Sequence, residues 1–143
     1  MLNEKDYCDY KTSVTLKEIG YNEKSNWWFS KFFNEDSGQM ELVHICDNPA
    51  HLNYDSWGVV PKDFIIRPSL YEVQKWLREE KGICVYPQYF GNTNEWIHTI
   101  YVKSKRKTIR NFHSTTYENA LSGGIKEAVR ILKDGIEEQK VKD

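Results

Sequence analysis

The stretch from Arg67 to Lys133 constrains the fold of this chain more than any other. It reads as a helix, three strands and a second helix. Both helices open on one pattern, Ser69-Leu70-Tyr71-Glu72 and Thr115-Thr116-Tyr117-Glu118, and each is a capping box. A hydroxyl there accepts from an orphan backbone N–H of the first turn, and the glutamate reaches back to the cap. The first helix is expected over Ser69 to Glu80, with Leu70, Val73 and Leu77 as its apolar stripe, Trp76 beside it and Gly82 after it. A strand over Ile83 to Phe90 follows. Pro87 places that strand at an edge or a bulge, because proline cannot donate to a ladder.

Gly91 to Asn94 is a turn, and Glu95 to Lys103 is the clearest strand in the chain. Ser104-Lys105-Arg106 turns the chain again, and Lys107 to His113 returns. On the middle strand Trp96, Ile100 and Val102 share one face, while Ile97 and Tyr101 share the other. A sheet with one wet face alternates cleanly. This one does not, so both faces are expected to be at least partly covered, one by the two helices and the other by the N-terminal hairpin or a second copy of the chain. The last helix is expected from Thr116 to Lys133, with Leu121, Ile125, Ala128 and Leu132 on one face. Gly123-Gly124 interrupts it. Two helical glycines cost roughly 1 kcal/mol each relative to alanine, and close approach of another backbone is the expected compensation.

Upstream, Leu16 and Ile19 share a helical face over Lys11 to Ile19, with Thr12 or Ser13 as cap and Gly20 as stop. Aromatic density over Asn26 to Phe33 and alternation over Gln39 to Cys46 predict a β-hairpin. Asp47 to Pro68 has no clear period. It is expected to be a long connection with a short strand at Val59-Val60 or Phe64-Ile66, either wrapping the core or forming a functional loop. At 143 residues the chain is expected to form one α+β domain, 1–143, with residues 1–10 and 134–143 flexible. Its sheet is mainly antiparallel with helices packed on it, and it ends in the α-β-β-β-α block.

Charge is nearly balanced at −1, but unevenly spread. Residues 1–60 carry five lysines against ten carboxylates, whereas residues 61–143 carry fifteen Lys/Arg against eleven. Neither excess by itself implies a polyanion partner. No apolar run approaches the roughly 18 residues of a membrane span, and the first residues lack a signal-peptide pattern. Cys8, Cys46 and Cys84 are odd in number and far apart, which predicts free thiols in a reducing cytoplasm and no membrane association.

Little chemistry is written in the sequence. His44-Ile45-Cys46 with His51 is the one local cluster of zinc-type ligands, and it lacks the paired short spacings of a zinc site. Cys84 among apolar neighbours reads as an inert buried thiol. No nucleophile elbow, phosphate-cradling loop or dinucleotide fingerprint is present. No catalytic residue, metal ligand or cofactor is therefore predicted. The feature with most force is basic: Lys103, Lys105, Arg106, Lys107 and Arg110 fall on one hairpin, flanked by Tyr101 and Phe112. Such cations contact phosphates and release counterions, or they blunt an edge strand against unwanted pairing.

Helix, three strands and helix is also the element order of the double-stranded-RNA-binding domain. That family carries lysines at the start of its last helix, where this chain has Thr115-Thr116-Tyr117-Glu118. Ser114 to Leu132 resembles the closing helix of HicB-type antitoxins, which implies a partner protein. Three stretches, Val14 to Glu23, Tyr71 to Glu79 and Tyr117 to Ile125, resemble small proteins of Bacteroides-type phages and prophages. This last resemblance implies a mobile-element origin and the cytoplasm of a bacterial host, and it brings no activity.

The combined expectation is a non-catalytic phage accessory protein that binds a host or phage macromolecule, with a protein as partner. The alternatives are nucleic-acid binding through the hairpin 103–110 and a small-ligand or hydrolase site near the 47–68 loop. A homodimer is compatible with the two-sided sheet.

Overall fold

The structure is a computed structural model that describes residues 4–23, 25, 27–34, 39–45 and 64–142. It is α+β, with two three-stranded antiparallel sheets and helices packed on sheet. The chain falls into two compact units, residues 9–68 and residues 1–8 with 69–143.

In the unit formed by residues 9–68, α1 spans Tyr10–Glu18. Its cap is Asp9, whose carboxylate accepts from Thr12 N–H at 2.8 Å, and not Thr12 or Ser13. Those two residues lie inside the helix and are buried, and Ser13 Oγ donates to the Asp9 carbonyl. The helix stops where expected. Gly20 takes φ 99°, a left-handed conformation that costs glycine little. Gly20 N–H reaches the Lys17 carbonyl and Tyr21 N–H the Leu16 carbonyl, a Schellman closure.

Strands β1 (Trp28–Asn34) and β2 (Gln39–Ile45) form the expected hairpin, with Trp28 opposite Ile45 and Asn34 opposite Gln39. Of the two places offered for a short strand in the long connection, Val59-Val60 lies outside the described residues and Phe64–Ile66 forms one. As β3 it pairs with the free side of β1, giving the order β2-β1-β3. Arg67 is 5% exposed; its guanidinium lies 4.7 Å from the Phe29 ring centroid. Tyr10 meets the same ring edge-on at 5.5 Å.

The C-terminal unit has the expected α-β-β-β-α order. Its helix α2 spans Leu70–Glu80 and buries Leu70, Val73, Trp76 and Leu77. Ser69 caps it, accepting from Glu72 N–H at 3.1 Å. Strands β4 (Ile83–Phe90), β5 (Glu95–Val102) and β6 (Lys107–Ser114) follow in the order β4-β5-β6. The final helix, α3, spans Tyr117–Lys142, so it continues beyond the expected end at Lys133. Its cap is Thr116, which accepts from Asn119 N–H, so the predicted box from Thr115 to Glu118 is displaced by one residue.

Both helices pack on β4, and α3 extends across β5 and β6. On β5, Ile100 and Val102 are buried on the face that carries the helix contacts. Ile97 (2% exposed) and Thr99 (0%) are buried on the other face, so both faces of this strand exclude water. The glycine pair in α3 has a different cause from the one expected. A Cβ on Gly124 would lie 2.6 Å from Val85 Cγ1 and 3.0 Å from His98 Cβ, and one on Gly123 would lie 3.3 Å from His98 Nδ1. The close approach is therefore of α3 to side chains of β4 and β5, not to another backbone.

Candidate functional site

The C-terminal unit presents two chemically different ends, separated by the length of β5. Eight strand residues span roughly 26 Å.

At one end lies the basic turn. Lys103 to Lys105 form a single 3₁₀ turn, Arg106 closes it, and Lys107 opens β6. Arg106 takes φ 48° and ψ 40°, the left-handed conformation that disfavours a residue with a Cβ. Lys103, Lys105, Arg106, Lys107 and Arg110 are all exposed. The predicted cations are thus brought together along the chain, but not onto one face. Lys107 is opposite Val102, on the helix-covered side of the sheet, and Arg110 is opposite Thr99, on the reverse. Of the aromatics expected to flank them, Tyr101 is half-buried, and the Phe112 side chain lies outside the described residues.

The other end, at the β4–β5 turn, is aromatic, and sequence reasoning missed it. Tyr71, Tyr89 and Phe90 there, and Tyr86 midway along β4, are 41–49% exposed, with Tyr86 and Phe90 on the face of the sheet opposite Tyr89. Tyr89 packs on Trp96 with ring centroids 5.0 Å apart, and Trp96 meets Tyr117 edge-on at 5.4 Å. Tyr89 Oη donates to Asn94 Oδ1 at 2.8 Å, and Asn94 itself sits at φ 53° in the turn. This contact fixes the ring against the hairpin tip. The surroundings are acidic. Glu95 is opposite Phe90 in the ladder, and Glu72 and Glu118 lie in the first turns of α2 and α3. Burial, then the charges of Asp6 and Glu118, raise the Tyr71 phenol above its ordinary pKa. The signal available in the sequence was position: Tyr86, Tyr89 and Phe90 fall in the strand around and after Pro87, which marks an edge, and run up to the turn at Gly91.

The remaining candidates contribute no assembled chemistry. Cys8 is buried and Cys84 half-buried. His51, Cys46 and most of the 47–68 connection lie outside the described residues. Among the described residues, no three His, Cys, Asp or Glu side chains come together as metal ligands, and no helix is long and apolar enough to cross a membrane. Comparison with protein-family models, curated proteins and solved structures finds no match to this chain.

Proposed function

We propose that this chain is a non-catalytic accessory protein of a phage or prophage that acts in the cytoplasm of a bacterial host by binding another protein. The exposed aromatic end carries this reading. Tyr71, Tyr86, Tyr89 and Phe90 stand in solvent on a helix and a strand of an ordered unit. Aromatic side chains concentrate binding energy at protein interfaces, and rigid presentation lowers the ordering cost of association. The carboxylates of Glu72, Glu95 and Glu118 around them suit a partner surface rich in lysine or arginine.

A second reading is nucleic-acid binding through Lys103, Lys105, Arg106, Lys107 and Arg110. Their exposure, and the left-handed Arg106 that costs the turn stability, favour it. Single-stranded nucleic acid is held by cations interleaved with stacking aromatics, and here the exposed aromatics lie at the far end of the sheet. Duplex RNA gripped at the start of a closing helix needs cations at α3, where Glu118 stands instead. The protein-binding reading therefore accounts for more of the surface.

The test is a paired affinity capture from host cells, with the wild type and the Tyr86→Ser/Tyr89→Ser/Phe90→Ser variant. All three positions are exposed, and among the described residues Tyr89 alone gives up a ring contact, to Trp96, and a hydrogen bond, to Asn94, so the far-UV circular dichroism of the backbone is expected to be retained and is measured beside the capture. The reading predicts a stoichiometric protein partner that the variant loses. Identical capture by both proteins, or recovery of nucleic acid alone, contradicts it.

A further inference from the structure

The two edges of the β4-β5-β6 sheet differ in their backbone chemistry. Lys103 N–H donates to the Gly82 carbonyl at 3.0 Å, one step beyond the Ile83–Val102 pair. Gly82 and Lys103 are therefore a hydrogen-bonded pair. Antiparallel ladders alternate bonded and non-bonded pairs. It follows that Cys84, Tyr86 and Gln88 bond across to β5, while Val85, Pro87 and Tyr89 turn their backbone groups outward. By the same count Lys107 and Ile109 bond to Val102 and Ile100, and Thr108 and Arg110 turn theirs outward along β6.

The β4 edge is closed in part. Gln74 Nε2 donates to the Val85 carbonyl at 2.7 Å, and Pro87 has no N–H to offer. The β6 edge has neither device. Among the described residues no strand lies beside it, and Thr108 and Arg110 are exposed. Among the described residues its protection is charge: residues 103–110 hold five cations and no carboxylate. Cations on an edge discourage pairing with apolar or basic strands. They do the reverse for an acidic one. Pairing between two copies of β6 would bring two such runs of cations together, and like charges opposite one another destabilise a strand pair.

We infer that the outer edge of β6 docks an extended acidic segment of a partner protein, which adds to the sheet as a fourth strand. Backbone groups of Thr108 and Arg110 bond the added strand, and Lys107, Arg110 and the turn cations select its carboxylates. This is strand addition with charge selection. It rests on the reading of the chain as a protein-binding module, and it gives this edge an acidic segment as ligand, distinct from the basic surface that suits the aromatic end.

Thr108→Pro separates strand addition from charge attraction. The Thr108 N–H is not used by the fold's own ladder, so proline is tolerated there as it is on other outward edge positions. The probe is a fluorescein-labelled octapeptide of alternating Glu and Val, read by anisotropy at low salt beside its Lys-Val counterpart, oligothymidylate and a DNA duplex. The wild type is expected to bind the acidic peptide and not the basic one. Thr108→Pro is expected to bind about tenfold more weakly or worse, the loss due to one edge hydrogen bond to a charged or strained strand. Lys107→Glu/Arg110→Glu is expected to abolish binding.

In the wild type, the acidic peptide is also expected to slow hydrogen exchange at Thr108 and Arg110, a readout that stands even if the proline variant fails to fold. Equal affinity of wild type and Thr108→Pro, no change in exchange, or no binding of the acidic peptide overturns the inference. So does binding of oligothymidylate or duplex in preference to the peptide. If a captured partner is lost with the aromatic variant but kept by Thr108→Pro, the protein-binding reading stands and this one falls.

Discussion

Gly123, Gly124 and Gly135 share a helix and differ in what surrounds them. Valine Cγ1 lies 2.6 Å from where a Gly124 Cβ would sit, and Val85 is buried and β-branched, so it cannot turn aside. Overpacking of this kind costs about 1–3 kcal/mol, against a helix-propensity gain of roughly 1 kcal/mol. Gly124→Ala is thus expected to lower stability by on the order of 1 kcal/mol. Gly135 has nothing within 4 Å, so Gly135→Ala is expected to raise stability by up to about 1 kcal/mol. Gly123→Ala should fall between them, since the His98 ring at 3.3 Å has to give only slightly. Urea unfolding of the three variants checks the order. A glycine pair in a helix was legible as a sign of close approach. What approaches was not, because that depends on the register of β4 against β5 and not on the helix sequence.

The elements themselves were the most legible feature, and their ends the least. The stripe Leu70, Val73, Leu77 is buried as its spacing predicts, and so are Leu121, Ile125 and Ala128 of the second stripe, while its fourth residue, Leu132, is half-buried. The hairpins formed where turn residues separated the strands. Caps slipped by a residue or more for a local reason. Thr115-Thr116 offers two hydroxyls in succession, and Asp9 stands ahead of Thr12 and Ser13 in the same role. The expected end of α3 at Lys133 followed the last residue of the apolar stripe, Leu132. The helix goes on to Lys142, and an exposed ion pair from Arg130 to Asp134 spans the expected end. The cap assignments give a test at this scale. Ser69→Ala and Thr116→Ala are each expected to cost about 0.5–2 kcal/mol, whereas Thr115→Ala should change little. Thermal unfolding of the three variants distinguishes this pattern from the box that begins at Thr115.

For the molecule as a whole, the asymmetry of charge along the sequence acquires a location. The excess of cations in residues 61–143 gathers at the β5–β6 turn, while three carboxylates, Glu72, Glu95 and Glu118, stand with the exposed aromatics at the β4–β5 turn. The basic cluster was legible because it is contiguous in sequence. The aromatic end was not, because Tyr71, Tyr89, Trp96 and Tyr117 come from four elements and meet only when the helices start at the same end of the sheet. Among the described residues, one edge of that sheet, along β6, is open, and the other, along β4, is blocked at Val85 and Pro87. Amide hydrogen exchange along β6 in the free protein measures this directly, since exchange reports which backbone groups are already bonded. Lys107 and Ile109 are expected to be protected while Thr108 and Arg110 exchange at rates close to those of an unstructured chain. Equal protection of all four amides would mean that the edge is already occupied, and would contradict the account.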